Sequence, residues 1–234
     1  NNMEGVESSG HFVPKDEFSA KRRDRLEDLA VSGVGRGGHV LSELMLGFGD
    51  GKQTERQIAD ALYAEHPEYF PLIDGKRKLT CGPYDPNPCI SNPALLDRMA
   101  ANMVKGLSGP HSSDINTILG NNDTSIWCEC DKCRALDNPA AAGTRGARSD
   151  RFWFMVNELA VRTWKVLPEA KLGGWAYQDF WYPPTKVTID PRLRVLISFN
   201  NQCWRHAVDD PACAVNGEFR KIFGLWQKTG LQVY

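Results

Sequence analysis

The chain of 234 residues carries a net charge of −1 and is 41% hydrophobic and 24% charged, proportions typical of a globular protein. This balance gives no electrostatic attraction for nucleic acid or for an anionic membrane. No apolar run in the sequence approaches the length of a membrane span. We therefore expect neither a nucleic-acid partner nor a membrane span.

The amino-terminal part of the sequence divides into an extension and the start of a domain. Residues 1–20 are polar and have no periodic pattern, so we expect a terminal extension or a linker there. Residues 21–234 are predicted to form one domain. Its first elements are a short helix over 21–31 and, after a glycine-rich segment, a strand over 38–41.

Two capping signals predict the next helices. Thr54, with Gln57 three residues later, fits a capping box, and apolar residues follow at helical spacing until Pro67. Asn92 stands directly before a proline, which is typical of a helix start, and an apolar stripe follows it. The segment 79–90 between these helices is rich in proline and glycine and is predicted to be a loop.

Downstream, strand-like apolar runs alternate with amphipathic helices. Strands are predicted over 114–119, 171–177, 193–199 and 231–234, with a long helix capped at Ser149-Asp150 and a last helix capped by Asn216. This alternation predicts a parallel α/β fold. About five or six strands are fewer than the eight of a closed (β/α)8 barrel, and the last strand breaks off at the end of the chain. We therefore expect a partial barrel, incomplete in this chain.

The segment 121–133 concentrates amides, carboxylates and cysteines directly after a strand-like run. Catalytic carboxylates of α/β barrels lie at the ends of strands, so Asn122 and Asp123 form a candidate site. The adjacent Cys-x-Cys-x-x-Cys motif would hold this loop in place. The alternative for Asp123 is structural: its carboxylate would cap a turn or accept hydrogen bonds from loop amides.

Seven cysteines fall into three local groups. The groups are Cys81 with Cys89, the motif of Cys128, Cys130 and Cys133, and Cys203 with Cys213. Local pairs around proline-rich loops favour disulfides and an oxidising compartment. Zinc is the alternative for the three-cysteine motif, which alone supplies only three ligands. The pattern favours disulfides, and we expect no metal and no cofactor.

Several segments together resemble one protein family. They are Gly38-His39; 65–70 with 74–77; 89–93; Asn122-Asp123 with the three-cysteine motif; and Cys203 and His206 with Asp210, Pro211 and Cys213. In order and spacing they are similar to the domain-of-unknown-function family 4838, which includes glycoside hydrolase family 163. The resemblance runs from about residue 36 to the C-terminus.

The resemblance implies a TIM barrel of the hexosaminidase and α-glucuronidase type in a secreted, periplasmic or cell-surface protein. Characterised members of family 163 are endo-β-N-acetylglucosaminidases that act on N-glycans. We therefore expect a retaining glycoside hydrolase for N-acetylhexosamine-containing glycans, with the glycan and the rest of the barrel or other domains as partners. The alternative is a non-catalytic carbohydrate-binding or structural barrel module.

Glycoside hydrolysis uses two carboxyl groups, or one carboxylic acid with the acetamido group of the substrate as the nucleophile. Asp123 is predicted to be the general acid, because Trp127 nearby would favour the protonated carboxyl group. Glu43 and Asp179, each near the end of a predicted strand, are candidates for the second carboxylate. The alternatives are that each is a surface or salt-bridged residue and that the partner lies beyond this chain.

Planar polar and aromatic side chains near the predicted strand ends are candidates for sugar binding, because they offer hydrogen bonds and stacking faces. These substrate-binding candidates are His39, Asn122, Trp175, Tyr177, Gln178, Asn200, Trp204 and His206. Core packing is the alternative for the aromatic residues, and a buried, fully bonded imidazole is the alternative for His39. The sequence has no motif of a serine hydrolase elbow, of a phosphate-binding loop or of a His-Glu-x-x-His metalloprotease.

Overall fold

Five parallel strands form the central sheet of the structure, a computed structural model that describes residues 38–47, 52–108, 116–198 and 202–234. In chain order the strands of the described residues are β1 (Gly38–His39), β2 (Leu72–Ile73), β3 (Lys76–Arg77), β4 (Asn116–Gly120), β5 (Lys171–Ala176), β6 (Arg194–Ile197) and β7 (Gln232–Val233). The sheet has the order β1-β4-β5-β6-β7, and β2 and β3 form a separate antiparallel hairpin. The order in the sheet therefore follows the order in the chain.

Helices connect the strands of the sheet and supply much of the core. Within the described residues they are α1 (Leu41–Leu46), α2 (Glu55–Glu65), α3 (Pro93–Leu107), α4 (Asp131–Ala135), α5 (Ser149–Trp164) and α6 (Ala214–Gln227). In those ranges no helix combines the length and the apolar character that crossing a membrane requires. The α/β class predicted from the alternating pattern is confirmed.

Helix α5 packs directly on one face of β5. Leu172 and Ala176 on this face are fully buried. A Cβ added to Gly174 between them would lie 3.0 to 3.1 Å from the rings of Trp153 and Phe152 in α5. Glycine at this position therefore lets the helix approach the strand closely enough for both rings to pack on its backbone.

The opposite face of the sheet is only partly covered. Ile118 of β4, Trp175 of β5 and Leu196 of β6 share this face, because the parallel register sets Ile118 beside Gly173 and Trp175 beside Leu196. All three large side chains are half-buried. The sheet therefore has one face against helices and one face with apolar side chains in partial contact with solvent.

The capping signals around α2 and α3 are confirmed. The Thr54 hydroxyl accepts a hydrogen bond from the backbone of Gln57, whose side chain in turn accepts one from the Thr54 backbone. The Asn92 side chain accepts bonds from the backbone of Ala94 and Leu95. Predicted strands and the long helix from Ser149 are also present, with shifts of a few residues at their ends.

Two local expectations are wrong, and one element was not predicted. The strand predicted over 38–41 ends at His39, and α1 follows directly. The hairpin of β2 and β3 was not foreseen. Asn216 does not cap α6, which begins at Ala214; its buried side-chain amide instead donates to the carbonyl groups of His206 and Ala207. The predicted extension over 1–20 and the helix over 21–31 lie outside the described residues.

Candidate functional site

The ends of three neighbouring strands bring several predicted site residues together. Strand β1 pairs with β4, and β4 pairs with β5, all in parallel, so the following loops leave from one edge of the sheet. His39 ends β1, Asp123 follows β4 and Tyr177 follows β5. Their side chains meet at this edge, where parallel α/β folds hold their ligands.

The carboxylate of Asp123 is held through one of its two oxygens. The Tyr177 hydroxyl donates to Oδ1 across 3.0 Å, and the Gln178 side-chain amide donates to the same oxygen across 3.1 Å. His39 Nε2 lies 3.7 Å from Oδ1, and the Asp123 side chain is 31% exposed. Within the described residues, Oδ2 makes no hydrogen bond. One oxygen is thus fixed by the protein, and the other is available to a ligand.

His39 is oriented by the backbone of the neighbouring loop. Its Nδ1 lies 2.8 Å from the carbonyl oxygen of Asn121. Because a carbonyl oxygen can only accept, Nδ1 carries a hydrogen and Nε2 points toward Asp123. The imidazole meets the Trp175 ring edge to face, with the centroids 5.0 Å apart. These contacts place His39 inside the site with one ring nitrogen directed at the carboxylate.

The floor of the site consists of glycine backbone and aromatic rings. Trp175 and Tyr177 lie on the same side of the chain at the end of β5, with ring centroids 5.7 Å apart. A Cβ added to Gly120 would lie 2.5 Å from the carbonyl oxygen of Gly38 and 2.9 Å from the Trp175 ring. The two strands therefore need glycine at position 120 to approach each other under this ring.

Asn122 lies beneath the site and does not face solvent. Its side chain is fully buried. The amide nitrogen donates to the hydroxyl of Ser42 across 2.8 Å and to the carbonyl oxygen of Asp85 across 3.0 Å, while the amide oxygen accepts from the backbone of Ser42. The expected contact of Asn122 with a sugar is therefore replaced by a structural role, in which it ties the loop after β4 to α1 and to the loop that contains Asp85.

Trp127 binds Asp179 and not Asp123. The indole nitrogen of Trp127 donates to Oδ2 of Asp179 across 3.0 Å. Burial raises the pKa of Asp179 from 3.8 to about 6, and the hydrogen bond from Trp127 limits this rise. The raised pKa that we expected for a carboxyl group beside Trp127 is thus that of Asp179. Between Tyr177 and Asp179, the backbone of Gln178 has a positive φ of 44°, which turns the chain sharply after β5.

The remaining predicted site residues differ in position. Glu43 lies in the first turn of α1, directly after β1, and its role as the second carboxylate stays a prediction. Asn200 lies outside the described residues. The Trp204 side chain is 76% exposed, so it is a surface residue and not part of the core. His206 is also exposed, and its Nδ1 lies 3.2 Å from the sulfur of Cys203.

The predicted disulfides are not formed. All seven cysteines are free thiols. Four of them, Cys89, Cys128, Cys130 and Cys133, converge so that their sulfur atoms all lie within 4.8 Å of one another. The thiols of Cys128 and Cys133 donate toward Cys89 and hold the pKa of Cys89 well below the usual range of a thiol. Cys89 therefore joins the three-cysteine motif and not Cys81, the partner expected from its position in the chain.

A second cluster of potential metal ligands within the described residues lies on the loop before α6. Ligand atoms of Cys203, His206 and Cys213 lie within 4.8 Å of one another. The backbone amide of Arg205 and then the ring of His206 lower the pKa of Cys203 to about 7. The group offers three ligands on a largely exposed loop, so it can hold a metal ion only with an open fourth position.

Two features of this region were missed from the sequence. The backbone carbonyl of Asn121 fixes the ring of His39, and the hydroxyl of Ser42 bonds to the amide of Asn122. Neither contact has a sequence signal, because each joins residues at least 80 positions apart. The convergence of Cys89 with the three-cysteine motif did have a sequence signal. The motif alone supplies only three ligands, and Cys89 is the fourth.

Comparison with protein families identifies the chain at the family level. Residues 41–234 match the model of a domain of unknown function, DUF4838, and the chain belongs to this family. No curated protein and no solved structure gives a significant match.

Proposed function

We propose that this member of the DUF4838 family is a retaining glycoside hydrolase of N-acetylhexosamine-containing glycans, with Asp123 as its general acid. The favoured activity is that of an endo-β-N-acetylglucosaminidase, in a secreted, periplasmic or cell-surface protein. The observation that carries the proposal is the carboxyl group of Asp123, which is fixed at Oδ1 and accessible at Oδ2. It stands at the sheet edge where α/β enzymes place catalytic carboxyl groups.

The hydrogen bonds of Asp123 determine which oxygen carries the proton. Because Oδ1 accepts from Tyr177 and Gln178, the proton of the acid form is on Oδ2. In the first step Oδ2 gives this proton to the glycosidic oxygen as its bond to the anomeric carbon breaks. The carbonyl oxygen of the substrate acetamido group bonds to that carbon from the opposite face, which gives an oxazolinium ion. The leaving sugar departs as an alcohol.

The second step returns the site to its starting state. Asp123, now a carboxylate, takes a proton from water while the water oxygen bonds to the anomeric carbon and the acetamido oxygen leaves. Two displacements at one carbon retain its configuration. The donors from Tyr177 and Gln178 stabilise the negative charge that Asp123 carries between the steps. The scheme needs only one carboxyl group from the protein.

The surroundings of Asp123 suit a sugar ring. Trp175 and Tyr177 offer apolar ring faces beside the carboxyl group, and both side chains are half-buried. Aromatic rings pack against the C–H groups of sugars, while His39 and Gln178 offer polar atoms to the hydroxyl groups. We assign these four residues to the subsite that holds the N-acetylhexosamine.

The proposal extends to the fold, as a (β/α)8 barrel. Two observations on the described residues support it: the five strands of the sheet follow chain order, and the side chains of one face are buried whereas those of the opposite face are half-buried. In a barrel the opposite face lines the interior, which accounts for the half-buried side chains of Ile118, Trp175 and Leu196. The strands of the barrel that the described sheet does not contain are part of this proposal.

Replacement of the Asp123 carboxyl group by an amide tests the proposed function. The parent protein, Asp123→Asn and the matched control Asp60→Asn are incubated with a biantennary N-glycopeptide, and products are read by mass spectrometry. Asp60 is exposed on α2, in an ion pair with Arg56. We expect the parent and Asp60→Asn to cleave the glycan, and Asp123→Asn to lose at least about 100-fold in rate with an unchanged circular dichroism spectrum. Undiminished cleavage by Asp123→Asn would overturn the assignment.

A non-catalytic carbohydrate-binding module is the second candidate. The observation that favours it is the arrangement of Asp179, a candidate for the second carboxylate, whose Oδ2 accepts a hydrogen bond from Trp127. Isothermal titration with N-acetylhexosamine oligosaccharides separates the two functions. If the parent protein binds these oligosaccharides saturably but cleaves none of the glycans tested, the result supports the binding module and excludes the hydrolase.

A further inference from the structure

We propose that Cys89, Cys128, Cys130 and Cys133 bind one zinc ion in a structural, four-thiolate site. The ion would join the loop before α3 to the loop after β4 and to the start of α4. This site is independent of the glycosidase proposal, because it rests on the cysteines and on the groups around them.

The separations of the sulfur atoms match a single tetrahedral ion. The sulfur of Cys89 lies 3.6 Å from that of Cys130 and 3.9 Å from that of Cys133, and all four sulfurs lie within 4.8 Å of one another. A disulfide would require about 2.05 Å between two of them. A tetrahedral ion with zinc–sulfur bonds of about 2.3 Å sets its sulfurs about 3.8 Å apart. The sulfurs are thus already spaced as ligands of one ion.

Donors around the cluster suit the negative charge of four thiolates. The backbone N–H of Leu72 donates to the sulfur of Cys128 across 3.3 Å, and the guanidinium of Arg77 lies 3.9 Å from the same sulfur. The Cys133 thiol donates to the Ser91 hydroxyl oxygen across 3.1 Å, and once Cys133 is a metal-bound thiolate the hydroxyl would donate to the sulfur instead. Such groups next to metal-bound sulfurs orient the ligands and offset their charge.

The burial of the cluster indicates a structural site and not a catalytic one. Cys89, Cys128 and Cys133 are buried, and Cys130 is half-buried. Four thiolates complete the tetrahedron, so no position remains for water or substrate. A surface pocket of about 470 Å³ reaches Cys130 and Cys89 and offers a path for the ion.

The ion would add a direct link to the hydrogen bonds that already join the loop before α3 to the loop after β4, such as that from Asn122 to the carbonyl oxygen of Asp85. Cys89 stands more than 40 positions from its partner Cys133. The hairpin lies beside the cluster, because the backbone of Leu72 in β2 donates to the sulfur of Cys128 and accepts from the backbone of Glu129. Only four residues separate Asp123 from Cys128. Zinc at the cluster therefore anchors the far end of the loop that presents the carboxyl group.

Metal content of the whole protein tests the site directly. The protein is purified without chelators, and its metals are measured by inductively coupled plasma mass spectrometry. We expect one zinc per chain in the parent and in Cys81→Ser, whose cysteine lies outside the cluster, and loss of that zinc in Cys130→Ser. Cys203→Ser serves as a second control, because it removes any ion held by Cys203, His206 and Cys213 while the cluster keeps its own.

A measurement on the parent protein keeps the test valid if Cys130→Ser does not fold. The metal is removed with a mercurial and a chelator, and Co²⁺ is added under reducing conditions. Sulfur-to-cobalt charge transfer and the visible bands of tetrahedral cobalt, both displaced by Zn²⁺, support the site. Iron in place of zinc, native disulfides among these four cysteines, or a metal-free protein that gives no cobalt–thiolate bands would each overturn it.

Discussion

The phenolic oxygen of Tyr177 lies 3.0 Å from Oδ1 of Asp123 and joins the end of β5 to the loop after β4. Tyr177 was predicted from the sequence to be a ligand of the substrate, but its hydroxyl group binds a side chain of the protein. It is therefore a positioning residue for Asp123 through its hydroxyl group, and we propose that its ring packs against the sugar.

Removal of the Tyr177 hydroxyl tests this division of roles. Tyr177→Phe keeps the ring and removes one of the two hydrogen-bond donors to Oδ1. We expect kcat for glycan cleavage to fall by about 10- to 100-fold, because charge on Asp123 loses a donor, while KM changes little. The matched control is Tyr84→Phe, whose side chain is 76% exposed. An increase in KM with unchanged kcat would instead assign the hydroxyl to the substrate.

Asn122 should matter for stability and not for sugar contact. Asn122→Ala removes buried hydrogen bonds to Ser42 and to the carbonyl of Asp85 and leaves those partners buried. We expect the free energy of unfolding to fall by about 3 kcal/mol, measured by urea denaturation. Thr54→Ala, which removes an exposed helix cap, should cost only about 1 kcal/mol. Equal losses in the two variants would contradict the buried role of Asn122.

The raised pKa of Asp179 predicts a pH dependence of stability. Burial raises this pKa from 3.8 to about 6, so the folded state holds the proton more tightly than the unfolded chain does. Between pH 3.8 and pH 6 the free energy of unfolding therefore falls as pH rises. Above about pH 6 the full loss is present, on the order of 3 kcal/mol. Asp179→Asn removes the charge but keeps an acceptor for Trp127.

We expect Asp179→Asn to be more stable than the parent at pH 7 and to match it near pH 4. Urea denaturation of both proteins across this pH range gives the difference between their free energies of unfolding. The titration of all other groups cancels in this difference. A difference that does not change with pH would show that Asp179 has its ordinary pKa in the folded protein.

Glycine at position 120 is required by the contact between β1 and β4. A Cβ there would meet the carbonyl oxygen of Gly38 at 2.5 Å, and backbone cannot move as a flexible side chain can. We expect Gly120→Ala to lower the free energy of unfolding by about 2 to 3 kcal/mol. Gly224→Ala in α6, where a Cβ meets nothing within 4 Å, should instead raise it by up to about 1 kcal/mol. Thermal unfolding of the two variants compares these opposite effects.

Local signals in the sequence predicted the elements of the fold. The capping box at Thr54, the Asn92 cap and the apolar runs of the strands each depend on residues close in the chain, and the structure contains them. Asn216 was assigned to a cap by the same type of rule, and the rule failed because the side chain serves the carbonyl groups of a preceding loop. A residue that has two possible sets of partners cannot be assigned from its type alone.

The site could be predicted only as a list of residues. Strand ends located His39, Asp123 and Tyr177, because parallel strands place their ends together. The partners within the site could not be deduced: Trp127 binds Asp179, although Asp123 is closer in the chain. The cysteines show the same limit, since proximity in sequence favoured Cys81 as the partner of Cys89, whereas the fold brings Cys89 to Cys130.

The long sequence separations within the site have a consequence for folding. His39 binds the backbone of a residue 82 positions away, and Tyr177 binds Asp123 across 54 positions. Contacts of this span form only after the chain between them has closed into a loop, which makes them slow compared with the formation of a helix. The geometry around Asp123 thus depends on β1, β4 and β5 having already paired. A refolding experiment that follows the recovery of ligand binding would therefore detect a late step, after the helices have regained their circular dichroism.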